Sequence, residues 1–439
     1  MIEPTIDSVE AETLGTWAYV YGYPVVKNLI VRSEATDPTF ERYAPPNAFH
    51  HHREGARPAF TDMTPNVDTP YSLAWVDVST EPVVLSLPAL PERYHVFQFT
   101  DFYIETFANP GTRETAGVGG DYVICPPGWD GKLPAGTTRI DAPTVSCWLQ
   151  GRTLFDGDDD LAELHRAQDQ YRLTPLSIFV GERPATDDST PTPEPRVPAE
   201  VVDSLAFFAA LNRGMTQNPP PARDDGLFAL FARINVGPGR DFAPDSLASD
   251  VADGLRRGIE TGKDLIARQA REVRLVNNWE VPTSGVGTYG TDFLQRARVA
   301  KYGYAGNVPQ ETVYANTLVD TGGVPLDGTG SYRMQFEAGQ LPPVQAFWSL
   351  TMYAWPQARL VDNPINRYAI GDRTRSLQYG QDGSLEIVLS HEQPATGASN
   401  WLPAPAGPFW LIMRLYLPDA RVHDGDYQLP GVERVASPT

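Results

Sequence analysis

The sequence predicts an α+β protein rich in β-structure: two antiparallel β-sandwich modules of jelly-roll-like character, an N-terminal helix pair and a helical middle segment. Three observations carry that reading. Short β-branched and aromatic runs punctuated by Pro and Gly clusters fill the stretch from Ser72 to Gly151. The same texture returns from Thr312 onward. Between them, Asp245 to Val273 carries apolar side chains at helical spacing.

Taken in order, Asp7 and Glu10 form a capping box ahead of Leu14, Trp17, Ala18 and Tyr21, which recur at helical spacing until Pro24 interrupts them. This predicts the helix pair. The runs SLAWVDV, VVLSL, YHVFQFTDFYIETF, DYVIC and TVSCWLQG then read as strands. Alternation along Tyr94 to Asp101 puts Gln98 and Asp101 on opposite faces. Asp156 to Arg172 reads as a helix, and its acidic start, Asp156 to Asp160, suits a helix N-terminus better than a calcium loop. Glu182 to Pro198, with prolines at 184, 191, 193, 195 and 198, reads as an extended spacer. In the middle segment Leu247, Val251, Leu255, Ile259, Leu265 and Ile266 form one apolar face. The second β-region runs through VYANTLVD, YRMQFEA, AFWSLTMYAW, LEIVLS and FWLIMRLYL. The expected division is 1–183, 184–300 and 301–439.

Composition narrows the partners. With 35 Lys and Arg against 55 Asp and Glu, the formal charge of −20 opposes a phosphate backbone or an anionic membrane surface. A small-molecule partner and a monomer or homodimer are expected, with neither nucleic acid nor membrane. The N-terminus lacks a basic segment followed by an apolar core, and no run approaches the length of a membrane span, so a cytoplasmic protein is expected. Cys125 and Cys147 each sit in an apolar strand-like run, which points to burial as small hydrophobes, although one bridge between adjacent strands stays open.

The segment MTPNVDTPYSLAWVDVS, Met63 to Ser79, sets Asn66, Asp68, Tyr71 and Asp77 at the mouth of an apolar strand. A carboxylate beside an amide and a phenol can hold a polar group or move a proton, and equally can be an Asx turn that starts a strand. His50, His51 and His52 form the histidine cluster, with His50 and His52 on one strand face and His51 on the other. With Asp68 or Asp77 they approach the two-histidine, one-carboxylate set of non-haem iron, but stronger zinc or iron signatures are absent. Arg113, among glycines 111, 117, 119 and 120, can meet an anion or pair with Asp101 or Asp121 to hold two strands. Asn363, Asn366, Arg367 and Asp372, with Asn400 and Trp401, offer amides, a guanidinium and an aromatic to a hydroxylated or carboxylate ligand, or else satisfy loop backbone. No nucleophile elbow, phosphate loop or dinucleotide fingerprint occurs, and Ser349 lies in a strand-like run.

The chain resembles the two-domain bacterial and fungal proteins in which domain of unknown function 1254 precedes domain of unknown function 1214. WAYVYGYP (Trp17 to Pro24), NAFHHHR (Asn47 to Arg53), the Met63 to Ser79 segment, FANPGTRETAG (Phe107 to Gly117) and LTPL (Leu173 to Leu176) carry the first part. LPPVQAFWSLTMY (Leu341 to Tyr353), LVDNPINRYAIGDRT (Leu360 to Thr374) and NWLPAPAGPFWLIMRLYLP (Asn400 to Pro418) carry the second. The resemblance implies a β-rich, two-module fold. It singles out His51, which stands where the family usually has one histidine after an Asn-x-Phe pattern, and it leaves His50 and His52 incidental. Relatives can carry export signals. No settled reaction comes with it, so function rests on the site.

The expectation is an enzyme without cofactor, running a hydrolase, lyase or isomerase step on a small, partly apolar metabolite in a cleft between the β-modules. Asp68 serves as acid or base, His51 and Tyr71 assist, and Asn66, Arg113 and Asp77 orient the substrate. The alternative is a non-catalytic carbohydrate or small-ligand binder using Asn366, Arg367 and Trp401. A metal enzyme built on His51 and a carboxylate is the third option.

Overall fold

Strand alternation in the first β-rich region sorts its side chains into two buried sets, and the two sets face different partners. The computed structural model describes residues 6–60, 63–183, 194–268, 275–304 and 306–435. Strands β1 (Tyr71–Asp77), β2 (His95–Thr100) and β3 (Ser146–Thr153) form the centre of a five-stranded sheet, in the order His50–His51, β1, β3, β2, Thr106–Ala108. Ala74, Val76, Phe97, Phe99, Cys147 and Leu149 point from it into a core shared with a four-stranded sheet built on Val83–Leu87 and Gly120–Cys125. That pair of layers is the first β-sandwich. Cys125 and Cys147 are both free and buried.

The second sandwich repeats the plan. Strands β4 (Thr312–Thr317), β5 (Val344–Ala354) and β6 (Phe409–Pro418) centre a seven-stranded sheet in the order β4, β6, β5. Val313, Leu350, Met352, Leu411 and Met413 pack against Tyr332, Met334, Leu385 and Ile387 of a four-stranded sheet. Neighbouring strands are antiparallel apart from Gly120–Cys125 with Thr137–Asp141 and Leu385–Ser390 with Trp401–Pro403. The architecture is α+β and β-rich.

Helix α1 (Ser8–Ala35) is continuous, where the sequence predicted a pair broken at Pro24. Proline removes one helical hydrogen bond, the one to the Val20 carbonyl, but Val20, Tyr21, Pro24 and Val25 are all buried, and packing on every side outweighs that loss. Asp7 caps the helix, its Oδ1 accepting from the Val9 and Glu10 amides. Helix α1 shares one core with α2 (Ala206–Gln217), α3 (Ser249–Ala267) and α4 (Phe293–Tyr302). A Cβ at Gly254 would stand 2.3 Å from the Ser8 carbonyl oxygen and one at Gly258 2.8 Å from that of Glu12, so α3 can lie this close to α1 only through its glycines. The predicted helix at 156–172 shortens to a 3₁₀ turn at Asp158–Asp160 and a helix at Leu161–Gln168, because Arg172 already belongs to a strand. Part of the proline-rich spacer, and the end of the predicted 245–273 helix, lie outside the described residues. Among the described residues no helix is long and apolar enough to cross a membrane.

The other faces of the two large sheets confront each other. On the first, Tyr71, Arg152 and Val96 stand in register, followed by Leu73, Gln150 and Gln98, then Trp75, Trp148 and Thr100. On the second, Tyr314, Arg414 and Ser349 form one row and Asn316, Ile412 and Thr351 the next. Each sheet therefore carries an arginine in mid-strand, buried on the face opposite its own core.

Candidate functional site

Where the two faces separate they leave a partly open cavity of about 650 Å³. Its walls come from β1 and β3 on one side and β4 and β6 on the other, with α1, α4 and parts of 42–60 and 63–66 bordering the space. Trp148 stacks between Trp75 and Tyr304, with centroids at 6.0 and 4.7 Å, and forms an aromatic shelf. Lys27 of α1 reaches the same wall with its ammonium 5.6 Å from the Tyr304 ring. Burial lowers the Lys27 pKa, and Glu34 works weakly in the opposite direction.

The two mid-strand arginines differ in their surroundings. Arg152 donates to Gln98 Oε1 at 2.8 Å and Gln150 Oε1 at 3.3 Å, and lies over the Tyr71 ring. Arg414 donates to Thr351 Oγ1 and the Tyr353 hydroxyl, both at 2.8 Å, and weakly to the Thr64 carbonyl. Among the described residues no carboxylate stands at ion-pair distance from Arg414, and its Nε has no partner.

The expected site residues divide between this cavity and its rim. Asn66 and Tyr71 reach the wall. Asn66 is held there by the Tyr416 hydroxyl, which accepts from its Nδ2 at 2.8 Å, while its Oδ1 accepts from the Asp68 amide. Asp68 is off the wall. It is 5% exposed and crosses to the second sandwich, where Oδ2 accepts from Ser349 Oγ at 2.5 Å and Oδ1 from Arg373 Nη2 at 2.8 Å. Next to this pair, burial pushes the Asp372 carboxyl up to about 6.

His51 points away from the cavity, its Nδ1 2.8 Å from Ser72 Oγ and its ring stacked on Phe49. Burial lowers its pKa to about 4. Strand alternation instead delivers His50 and His52, which the family resemblance left incidental, to the wall. Asp77 accepts from the Ser79 amide, a local turn bond. Arg113 pairs with neither Asp101 nor Asp121. Its Nε donates to the buried Glu311 of the second sandwich at 2.7 Å, and its Nη2 to Glu114. Asp101 accepts instead from the Tyr103 and Glu105 amides, and Asp121 from Ser86.

The C-terminal group is engaged internally. Arg367 Nη1 donates to the carbonyls of Ala398, Ser399 and Trp401, Trp401 Nε1 donates to the Ser390 carbonyl inside the core, and Asn366 accepts from the Tyr368 hydroxyl. Loop conformation absorbs these groups, as backbone accounting in long connections demands. Among the described residues no group of three or more His, Cys, Asp or Glu side chains is arranged to hold a metal.

Sequence reasoning missed Gln150, Arg152, Trp410 and Arg414. The signal was there: WLQGR and WLIMR each place a tryptophan, a second residue and an arginine on one strand face, within runs read as apolar. An arginine in mid-strand marks a face that is buried yet not part of a simple core.

Fold and site define a class: two β-sandwiches joined face to face, with a ligand-sized cavity in the joint and a helical block closing one side. Residues 46–175 match the family described as protein of unknown function (DUF1254), and residues 311–420 match protein of unknown function (DUF1214). The chain belongs to the family that carries these two domains in this order. Its fold is similar to the crystal structure of the VPA0106 protein from Vibrio parahaemolyticus, at 25% identity and a TM-score of 0.74, over 97% of this chain and 100% of that one. An uncharacterized protein from Burkholderia cenocepacia aligns over 98% of this chain and 95% of its own at 12% identity and a TM-score of 0.45, too distant to bear on the site. No curated protein matches the chain.

Proposed function

We propose that this protein binds a small, partly apolar metabolite in the cavity between its sandwiches, as a cytoplasmic monomer or homodimer. The cavity itself supports the reading. At about 650 Å³ it has the size of pockets that take small molecules, and it combines aromatic surface with a few fixed polar groups. A joint packed to the density of a protein core would leave no such space.

A second reading, an acid–base enzyme of hydrolase, lyase or isomerase type, draws support from Lys27 and Tyr71. Both stand on the wall, and the lowered Lys27 pKa favours proton exchange. Asp68 acting with His51 would first have to leave Arg373 and Ser349, so proton transfer falls to Lys27 and Tyr71 in this version.

The test is incubation of the protein, and of Tyr71→Phe and Leu73→Trp variants, with a bacterial metabolite extract followed by untargeted mass spectrometry. Stoichiometric retention of one compound, lost in Leu73→Trp, supports the binder. Catalytic depletion of one compound with growth of another, lost in Tyr71→Phe, supports the enzyme. If Leu73→Trp retains or converts whatever the parent protein does, the cavity is not the site.

A further inference from the structure

Helix α1 turns one stripe to the cavity. Lys27, Val31, Glu34 and Ala35 follow the spacing of a single helical face, and all four line the space. The chain has four lysines, and their settings differ. Lys263 sits between Asp203 and Glu260, at 2.6 and 2.8 Å. Lys132 and Lys301 are exposed. Lys27 is partly buried, and among the described residues it has neither a hydrogen bond nor a carboxylate at ion-pair distance. The two carboxylates that border the cavity are turned to others: Glu34 pairs with Arg196 at 3.3 Å, and Glu54 faces Arg57 at 3.6 Å.

The contact that Lys27 does make is with the Tyr304 ring, whose centroid lies 5.6 Å from Nζ. That is near the outer limit of about 6 Å for a cation over a ring, so the ring compensates only weakly for lost water. Tyr304 is itself fixed, stacked on Trp148 and donating its hydroxyl to Asn28 Oδ1 of the same helix. Lys27 therefore ends beside a rigid aromatic wall, in a space large enough for a small molecule. Burial without a counter-ion favours the neutral amine, the direction in which its pKa moves. An amine has the lone pair that an ammonium lacks, and a lysine desolvated on an apolar wall is activated as a nucleophile toward carbonyl carbon.

We infer that Lys27 is a nucleophile and that the ligand of this cavity is a small aldehyde or ketone with an apolar body, held as an imine on the Lys27 nitrogen. The nitrogen lone pair forms a bond to the carbonyl carbon. The carbonyl oxygen then leaves as water with the two protons that the nitrogen gives up, and a neutral imine remains. Hydrolysis runs the same steps backwards, so neither an oxidant nor a reductant is consumed. The inference rests on the cavity being the ligand site. It adds the chemical class that this site selects.

The full chain is incubated at neutral pH with benzylacetone and sodium cyanoborohydride, which reduces an imine to a stable secondary amine, and the adduct is mapped by peptide mass spectrometry. A ketone serves because exposed lysines condense with it poorly. Lys27 is labelled at least about tenfold faster than Lys132 and Lys301, since only the unprotonated amine attacks. Lys27→Arg keeps the charge, removes the nucleophile and forms no adduct, with a thermal melt to show that it folds. If it does not fold, the map of the parent protein decides. Leu73→Trp, which fills the cavity from the middle of β1, abolishes the labelling of Lys27. If it fails to fold, Ile412→Phe fills the space from the opposite wall. Labelling absent from Lys27, or shared with Lys132 and Lys301 without preference, overturns the inference. In that event the alcohol counterpart of benzylacetone, followed by tryptophan fluorescence, separates the two readings: binding that is lost in the filling variants leaves the cavity as the site, and no binding removes it. Lys27 labelling untouched by both filling variants overturns the inference and the cavity reading together.

Discussion

The two sandwiches meet twice, once through a latch and once around a cavity, and both meetings use arginines, amides and tyrosines. In the latch polar groups meet across the joint: Asp68 meets Arg373 and Ser349, Asn66 meets Tyr416, the Pro65 carbonyl accepts from Tyr353, and Glu311 receives both Arg113 and Tyr94, while Arg373 Nε has no partner among the described residues. On the cavity-wall residues, Trp75 Nε1, Gln150 Nε2, Trp410 Nε1 and Arg414 Nε have no partner among the described residues, although the Arg414 Nη atoms donate to Thr351, Tyr353 and Thr64. Residue type is therefore a poor guide to role here, and position relative to the joint is a better one. A group whose hydrogen bonds cross the joint holds the two sandwiches together, whereas a side chain that lines a roomy, partly open space can meet a ligand.

Breaking the latch gives the largest effect. Asp68→Ala leaves Arg373 and Ser349 facing a vacancy, and thermal or urea unfolding is expected to show a loss of about 3 kcal/mol. Retention of ligand at a temperature where the variant is folded should survive. An unchanged midpoint with ligand retention abolished would falsify the division between latch and cavity. Arg113→Ala comes next, at about 2 kcal/mol, because it strands the fully buried Glu311 carboxylate.

The third effect concerns His51, which turns away from the cavity. Its folded pKa of about 4 lies below the ordinary value of 6.5, so between those limits the unfolded chain holds a proton that the folded chain refuses. Stability from this group is complete above pH 6.5 and is lost as pH falls toward 4. Buried Asp101, raised to about 6, has the opposite slope and gains stability over the same fall. His51→Gln should flatten the acid-side decline in unfolding free energy by about 1 kcal/mol, once solvent screening of a half-buried ring is allowed for. An equally steep decline in the variant counts against a neutral, buried His51. The smallest stability change is expected at the cavity: Trp410→Phe should shift unfolding by less than about 1 kcal/mol. A large loss of stability there would mean that the indole serves the fold, and the contrast with Asp68 would fail.

Much of this architecture was legible. The two β-rich regions, the capped N-terminal helix and the apolar face of α3 follow from periodicity that depends on neighbours a few residues away. Pro24 misled, because a local rule about helix interruption was overridden by burial on all sides of α1. The segment PNVDTP stands out in the sequence, but where its side chains go depends on Tyr416, Ser349 and Arg373, all more than 280 residues away along the chain. His51 illustrates a different failure: alternation placed it opposite His50 and His52, but nothing local says which of the two faces meets the cavity.

Sequence alone determined the secondary elements, the two β-modules and the alternation that gives each strand two faces, because these are set by backbone sterics and the pattern of apolar residues. Only the tertiary structure decided which polar groups are complemented and which are not. That depends on how two large sheets, each already folded on its own core, meet along faces that carry arginine in mid-strand. Asp68 and Arg414 are both buried and both polar in the chain, and they part company only in space: one meets a guanidinium across the joint, and the other stands on the cavity wall with no carboxylate at ion-pair distance among the described residues.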